Sequence, residues 1–242
     1  MTLVTLTILL FVTAILYSAV GHAGASSYLA VMALFSIAPG VMKPTALVLN
    51  ILVATIVTVK FLHVGAFSWK LFFPFALGSI PFAFLGGAVT LPSQLYKPVV
   101  GLVLLYAAYR LWRASQLTEK PITPMPFWAG LVSGIGIGFL SGLTGVGGGI
   151  FISPLILFMG WAEARETAGV SALFILVNSI AGLTGNLASV AQLPAVLIYW
   201  APAVAIGGYI GAEYGSRRLG SPTLKKLLAV VLVIASLKMM FT

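Results

Sequence analysis

The chain has 242 residues, 60% of them hydrophobic and only 7% charged, with thirteen Lys or Arg against four acidic residues and a formal net charge of +9. Long apolar segments recur from end to end, which no soluble core of this size requires, so the composition describes a polytopic helical membrane protein. Cysteine is absent, which excludes disulfides, thiolate metal sites and cysteine nucleophiles. The basic residues sit in connecting segments, a pattern of membrane orientation rather than nucleic-acid binding.

Taken in order, the first apolar segment is 2–19, without the Lys or Arg that opens a signal peptide, and it reads as a retained membrane helix. Gly21-His22-Ala23-Gly24-Ala25-Ser26-Ser27 interrupts it, and a short segment, 26–38, follows. Segments 44–62, 69–89 and 95–112 complete an N-terminal repeat, 1–113, and a cytoplasmic linker, 114–126, holds Glu119, Lys120 and three prolines. The C-terminal repeat, 127–242, runs through 127–140, the break Ser141-Gly142-Leu143-Thr144-Gly145-Val146-Gly147-Gly148-Gly149, a short 150–160, then 166–187, 195–214 and 223–241. Lys43-Pro44-Thr45-Ala46 matches Arg165-Glu166-Thr167-Ala168, and the two glycine breaks lie about 124 residues apart, so the chain is an internal duplication.

Crossing a hydrocarbon core of about 30 Å takes roughly 20 helical residues. The segments that follow the two glycine breaks fall well short of that. Each break with its arms reads as a hairpin that enters the membrane and returns, with its tip near mid-depth; a kinked single helix is the alternative reading. Lys and Arg are richest at 110–120 and 217–226, which places both connections in the cytoplasm. The turns at Lys43 and Arg165 then face opposite sides, both termini lie outside, and the halves form an inverted repeat. Lys97 and Lys238 run against this assignment.

Glycine is costly inside a helix, so a cluster of it within apolar sequence marks a deliberate break. Irregular backbone at membrane depth is tolerated only where it is buried in protein or lines a polar cavity, and paired breaks in two halves point to a transport site. A helix starting at such a tip offers unpaired N–H groups and partial positive charge to an anion. The candidate substrate site is therefore Gly21, His22, Gly24, Ala25, Ser26 and Ser27 from the first break with Thr144, Gly145, Gly147, Gly148, Gly149 and Ile150 from the second. The hydroxyls of Ser26, Ser27, Ser141 and Thr144 are candidate donors, and Asn50 and Asn178 are candidate path-lining residues whose default role is interhelical hydrogen bonding. His22 either is a neutral histidine satisfied by backbone or handles charge; His63 reads as interfacial. Gly134, Gly138 and Gly142, and Gly207, Gly211 and Gly215, are four-residue stripes expected to pack helices closely. Asn186 is placed within the helix that follows the second short arm. Glu163, Arg165 and Glu166 form a helix-start charge cluster, and Glu213 is spaced to pair with Arg217.

An enzyme is not expected. Metal-ligand spacings and paired catalytic carboxylates are missing, Gly138-Phe139-Leu140-Ser141-Gly142 lacks a partner histidine for an intramembrane serine protease, and no Lys-Ser or Lys-Thr follows the glycines to make a nucleotide loop. No cofactor or metal is implied.

Ser141 to Gly149, followed by Ser153-Pro154-Leu155 and Glu166-Thr167-Ala168-Gly169, resembles the signature of the sulfite exporter TauE/SafE family of permeases. Gly21 to Ser26, Lys43-Pro44-Thr45-Ala46 and the His63-Val64-Gly65 to Trp69 loop are similar to the same pattern in the first half. The chain departs from it with Ala23 and Ala25 where its own second half has Gly147 and Gly149, and with His22 opposite Val146. The resemblance implies an anion permease associated with sulfite, sulfonates and related sulfur oxyanions. The expectation is an all-α polytopic protein of a bacterial-type inner membrane. It comprises two inverted repeats, each a glycine-rich broken helix hairpin followed by three transmembrane helices, and it exports a small anion. Its expected partners are that anion and the lipid bilayer, with no nucleic acid, and a homo-oligomer is left open. A membrane scaffold or assembly factor and an anion channel are the alternatives.

Overall fold

The computed structural model of the protein describes residues 2–114, 121–217 and 222–241. Among these the regular structure is helical: α1 (Thr2–Ser18), α2 (Ala25–Leu34), α3 (Pro39–His63), α4 (Trp69–Ala88) and α5 (Ser93–Ala114) in the first half. The second half holds α6 (Phe127–Thr144), α7 (Gly149–Met159), α8 (Ala164–Thr184), a 3-10 helix (Leu187–Gln192), α9 (Leu197–Arg217) and α10 (Pro222–Phe241). α3, α4, α6 and α8 are long and apolar enough to cross a membrane. α2 and α7, with 10 and 11 residues, rise only about 15 Å each, half of a hydrocarbon core.

Polarity is distributed as lipid demands. Large apolar side chains face outward, among them Phe73, Leu77, Trp128 and Ile198, while Ser27, Asn50, Ser141, Asn178 and Ser179 are buried. Phe67, Trp69, Phe72 and Phe73 form an aromatic cluster at the start of α4, a residue type favoured at a membrane interface.

Close contacts fix the direction of the helices. Asn50 of α3 bonds Ser179 of α8, and a Cβ on Gly169 or Gly182 of α8 would contact Phe61 or Leu47 of α3. Rising numbers on α3 thus meet falling numbers on α8, and these two equivalent helices are antiparallel. α9 runs parallel to α3, through Gly208 on Val53 and Glu213 on Lys60, and α1 runs parallel to α9. α2 runs the other way, from Ala25 beside the middle of α3 at Asn50 back to Leu34, four residues short of the start of α3. In the second half, Gly149 lies against Ile175 and Ser153 against Ser171, so α7 is antiparallel to α8, whereas α6 follows α8 through Ile137, Phe174, Gly142 and Gly182. Each break therefore reverses the chain, and the single kinked helix is replaced by a hairpin with one long and one half-length arm.

The two halves exchange partners. α4 packs on α6 and α8, and the equivalent α9 packs on α1 and α3; α5 pairs with its own counterpart α10, and α3 with α8. The glycine stripes make these contacts at backbone level. Side chains added at Gly134, Gly138 and Gly142 would collide with the main chain of α4 at Phe75, Ser79 and Ala83, and at Gly207, Gly211 and Gly215 with the α1 end at Phe11, Ile15 and Ala19. Lipid offers no hydrophobic drive for such pairing, so close packing of small residues supplies it.

One expectation is corrected here. The helix expected over 166–187 stops at Thr184 because Gly185 and Asn186 lead into the 3-10 helix, so Asn186 is that helix's N-cap and reaches Thr90 Oγ1 at 3.4 Å rather than lying inside α8. Glu213 pairs with Lys60 at 2.5 Å, with the ammonium 4.2 Å from the Tyr209 ring centre; its expected pairing with Arg217 involves a side chain outside the described residues. Lys238, which runs against the charge rule, serves a local purpose, since its ammonium caps the end of α2 on Leu34 O at 2.5 Å and Ser36 Oγ at 3.0 Å.

Candidate functional site

The two breaks share a backbone design. Left-handed φ values occur at Gly21 (78°), Gly24 (103°) and Ser36 (57°), and recur at Gly145 (81°), Gly148 (85°) and Gly160 (68°), in each pair about 124 positions on. Gly24 and Gly148 are the N-caps of α2 and α7, and neither helix receives a side-chain cap from its own N-cap residue. The helix starts therefore need donors or acceptors from elsewhere.

At the first break, Gly21 packs so tightly on Ala168 that a Cβ would collide. The Ala25 N–H, first of α2, donates to Asn50 Oδ1 at 3.1 Å, and Asn50 Nδ2 donates to Ser179 Oγ at 2.8 Å. Asn50 thus caps the first half-helix and ties it to the other half of the molecule. Ser26 donates to Tyr17 OH at 3.0 Å, Ser27 to Gly24 O at 2.7 Å, and Tyr28 OH to Ala23 O at 2.6 Å.

At the second break, Thr144 closes α6 by donating to Leu140 O at 2.7 Å, and its own carbonyl accepts Tyr96 OH at 2.9 Å. Gly145 to Ile150 are all buried. A Cβ on Gly147 would meet Asn50 Nδ2, Ile175 and Ser179, one on Gly148 would meet Phe174 and Ile137, and one on Gly149 would meet Ile175. The glycines let this backbone lie directly against the side chains of Asn50 on α3 and of Phe174, Ile175 and Ser179 on α8.

His22 joins the two breaks. Its Nδ1 lies 3.1 Å from Val20 O, and its Nε2 lies 3.1 Å from both Gly149 O and Ser153 Oγ. Ser153 Oγ continues to Ser171 Oγ at 2.7 Å. A carbonyl only accepts, and a neutral imidazole has one N–H, so only the doubly protonated ring donates to both Val20 and Gly149. The neutral ring with its proton on Nδ1 donates to Val20 O and accepts from Ser153 Oγ at Nε2, so the contacts accommodate either charge state.

The structure brings some of the sequence-selected residues together and separates others. His22 and Gly149 meet at one node, while Ala25, Asn50 and Gly147 meet at an adjoining one. The hydroxyl protons of Ser26, Ser27 and Thr144 are directed to the protein itself, whereas Ser141 Oγ is buried without a hydrogen-bond partner. Asn178 stands outside both nodes: its Nδ2 donates to Phe174 O at 2.8 Å and its Oδ1 is buried without a hydrogen-bond partner. Sequence reasoning passed over Ser171 and Ser179. With Ile175 they recur every four residues and line one face of α8, the face that touches Ser153, Gly149 and Asn50 in turn. That spacing was the signal available.

A protein-family model described as "Sulfite exporter TauE/SafE" matches residues 6–239. The chain is 46% identical over 241 residues to "Probable membrane transporter protein y4hK" of Sinorhizobium fredii, covering 98% of this chain and 97% of that protein. It is 29% identical over 126 residues to "Probable membrane transporter protein MJ0441" of Methanocaldococcus jannaschii, 50% of this chain and 46% of that protein. No solved structure matches. With a family match over nearly its whole length, helices that place polar groups inside and apolar groups outside, and two glycine breaks joined in its interior through His22, the chain belongs to the sulfite exporter TauE/SafE family and is a multi-pass membrane transporter of that type.

Proposed function

We propose that the protein exports a small oxyanion, sulfite or an organosulfonate, and that the anion binds where α2 and α7 begin, beside His22. The observation that carries this reading is the meeting of the two breaks at adjoining nodes, His22 on Gly149 at the start of α7 and Asn50 on Ala25 at the start of α2, with both ring nitrogens of His22 near carbonyl oxygens. Helix N-termini and an imidazolium each favour negative charge, and their effect grows where water is excluded. An inverted repeat with both termini outside accompanies the proposal, supported by the antiparallel α3 and α8 and by the loop charges.

Direction follows from electrostatics. An interior-negative potential contributes about 2.3 kcal/mol per elementary charge per 100 mV and drives anions outward. At about 1.4 kcal/mol per tenfold ratio, one charge supports a gradient of roughly fortyfold without a coupling ion. Proteoliposomes holding the purified protein test this with an imposed potential and no pH or sodium gradient. Sulfite or methanesulfonate should move to the positive side with saturation, and His22→Gln should raise the half-saturation concentration without altering the charge moved per cycle. Flux that ignores the potential but follows a proton or sodium gradient overturns uniport export, and flux that never saturates replaces the carrier with a channel.

A further inference from the structure

We infer that a second anion station lies at the mouth of the protein nearest the α2–α3 turn, with Lys43 as its charged group; this rests on the anion-carrier reading above. A cavity of about 400 Å³ opens there between the start of α3, the α4–α5 loop and the 3-10 helix, a volume within the range of small-molecule sites. Its polar lining includes Thr90, Ser93, Asn186, Ser189 and Gln192, and its lining holds no carboxylate.

Lys43 supplies the charge. Its ammonium lies 3.0 Å from Gly87 O, 3.2 Å from Val89 O and 3.5 Å from Gly86 O, the carbonyls at the end of α4. A helix C-terminus carries only about half of an elementary negative charge, so the site retains net positive character. A small oxyanion that replaces one of the three carbonyl contacts supplies the remaining counter-charge, while the hydroxyl and amide groups of the lining can satisfy its other oxygens.

The cavity also sits at a useful place. Leu143 and Tyr96 line it, Tyr96 OH donates to Thr144 O, and the Lys43 main chain packs against Gly145. Its floor is therefore the second glycine break. Lys43 and Asn50 are seven residues apart on α3, so the station lies about 10 Å along that helix from the group that caps α2. An anion released at the hairpin starts meets Lys43 next on its way to this face.

A cysteine probe reads the station directly, because the chain has no cysteine of its own. Ala188→Cys places an exposed thiol on the cavity wall, and nanodiscs leave both faces open to a charged maleimide, so the test does not depend on membrane orientation. Methanesulfonate, which does not react with maleimide, should slow labelling about tenfold at ten times its Kd by mass action, relative to gluconate at equal ionic strength. Protection should vanish in Ala188→Cys/Lys43→Gln and persist in Ala188→Cys/Lys43→Arg. A control thiol at the other end of α3, Val64→Cys, should label at one rate in both salts. No protection of Ala188→Cys, protection that survives Lys43→Gln, or equal slowing at Val64→Cys overturns the station. Methanesulfonate flux in proteoliposomes separates the two claims: flux without protection removes the station alone, and protection without flux removes the carrier reading while leaving an anion site.

Discussion

Asn50 on α3 and Ser179 on α8 are joined by a 2.8 Å hydrogen bond across the centre of the molecule, and the same Asn50 accepts the first N–H of α2 at 3.1 Å. The two bonds differ in what their loss leaves behind. Ser179→Ala removes one interhelical hydrogen bond and should cost about 0.6 kcal/mol, the usual scale inside membranes. Asn50→Ala also strands a buried backbone N–H and should cost about 1–3 kcal/mol. Thermal unfolding in detergent should rank Asn50→Ala well below Ser179→Ala; equal midpoints would show that the Ala25 N–H finds another partner.

Glycines in this chain divide by what surrounds them. Gly136 has open space where a Cβ would stand, whereas Gly147 has φ near 80° and a neighbourhood filled by Asn50, Ile175 and Ser179. Gly136→Ala, inside α6 with room for the methyl group, should stabilise by about 0.4–1 kcal/mol. Gly147→Ala should lower both folding yield and transport. Gly148→Val adds bulk against Phe174 and Ile137, so it should disturb folding as well as binding, and size-exclusion profiles together with uptake assays will show whether the two effects separate.

Membrane sidedness is open to direct labelling. Ala38, before α3, and Ala164, at the start of α8, are both exposed. Single cysteines at these two positions should react with an impermeant thiol reagent from opposite sides of intact vesicles. Reaction from the same side would defeat the inverted arrangement.

Glu213 offers a test of coupling. Paired with Lys60, whose ammonium lies over Tyr209, it braces α3 against α9, and this contact leaves it a structural partner. Glu213→Gln should therefore leave the reversal potential of anion flux unchanged while lowering the unfolding temperature. A shift in reversal potential with pH that disappears in Glu213→Gln would instead make it the coupling carboxylate.

Much of the helix plan was legible because apolar runs, prolines and glycines punctuate it. The second short arm was expected to end at Gly160, and α7 ends one residue earlier at Met159. The first was expected to reach residue 38 but stops at Leu34, since the left-handed turn that ends it falls on Ser36, a residue that does not advertise such a φ. The glycine stripes were readable as packing surfaces because their spacing alone defines a face. The pairing of His22 with Gly149 and of Asn50 with Ser179 was not, since it joins residues more than a hundred positions apart. The 3-10 helix was equally hidden: Leu187–Gln192 is too short to show a period.

The glycine stripes restrict how this transporter can move. α4 and α6 touch main chain to main chain along Gly134, Gly138 and Gly142, and α1 and α9 do so along Gly207, Gly211 and Gly215. Each welded pair takes one helix from either half. Swinging one whole half as a rigid body against the other would have to prise apart both seams, where packed surfaces do not deform gradually. Any movement that exposes the interior therefore has to carry α4 together with α6 and α1 together with α9.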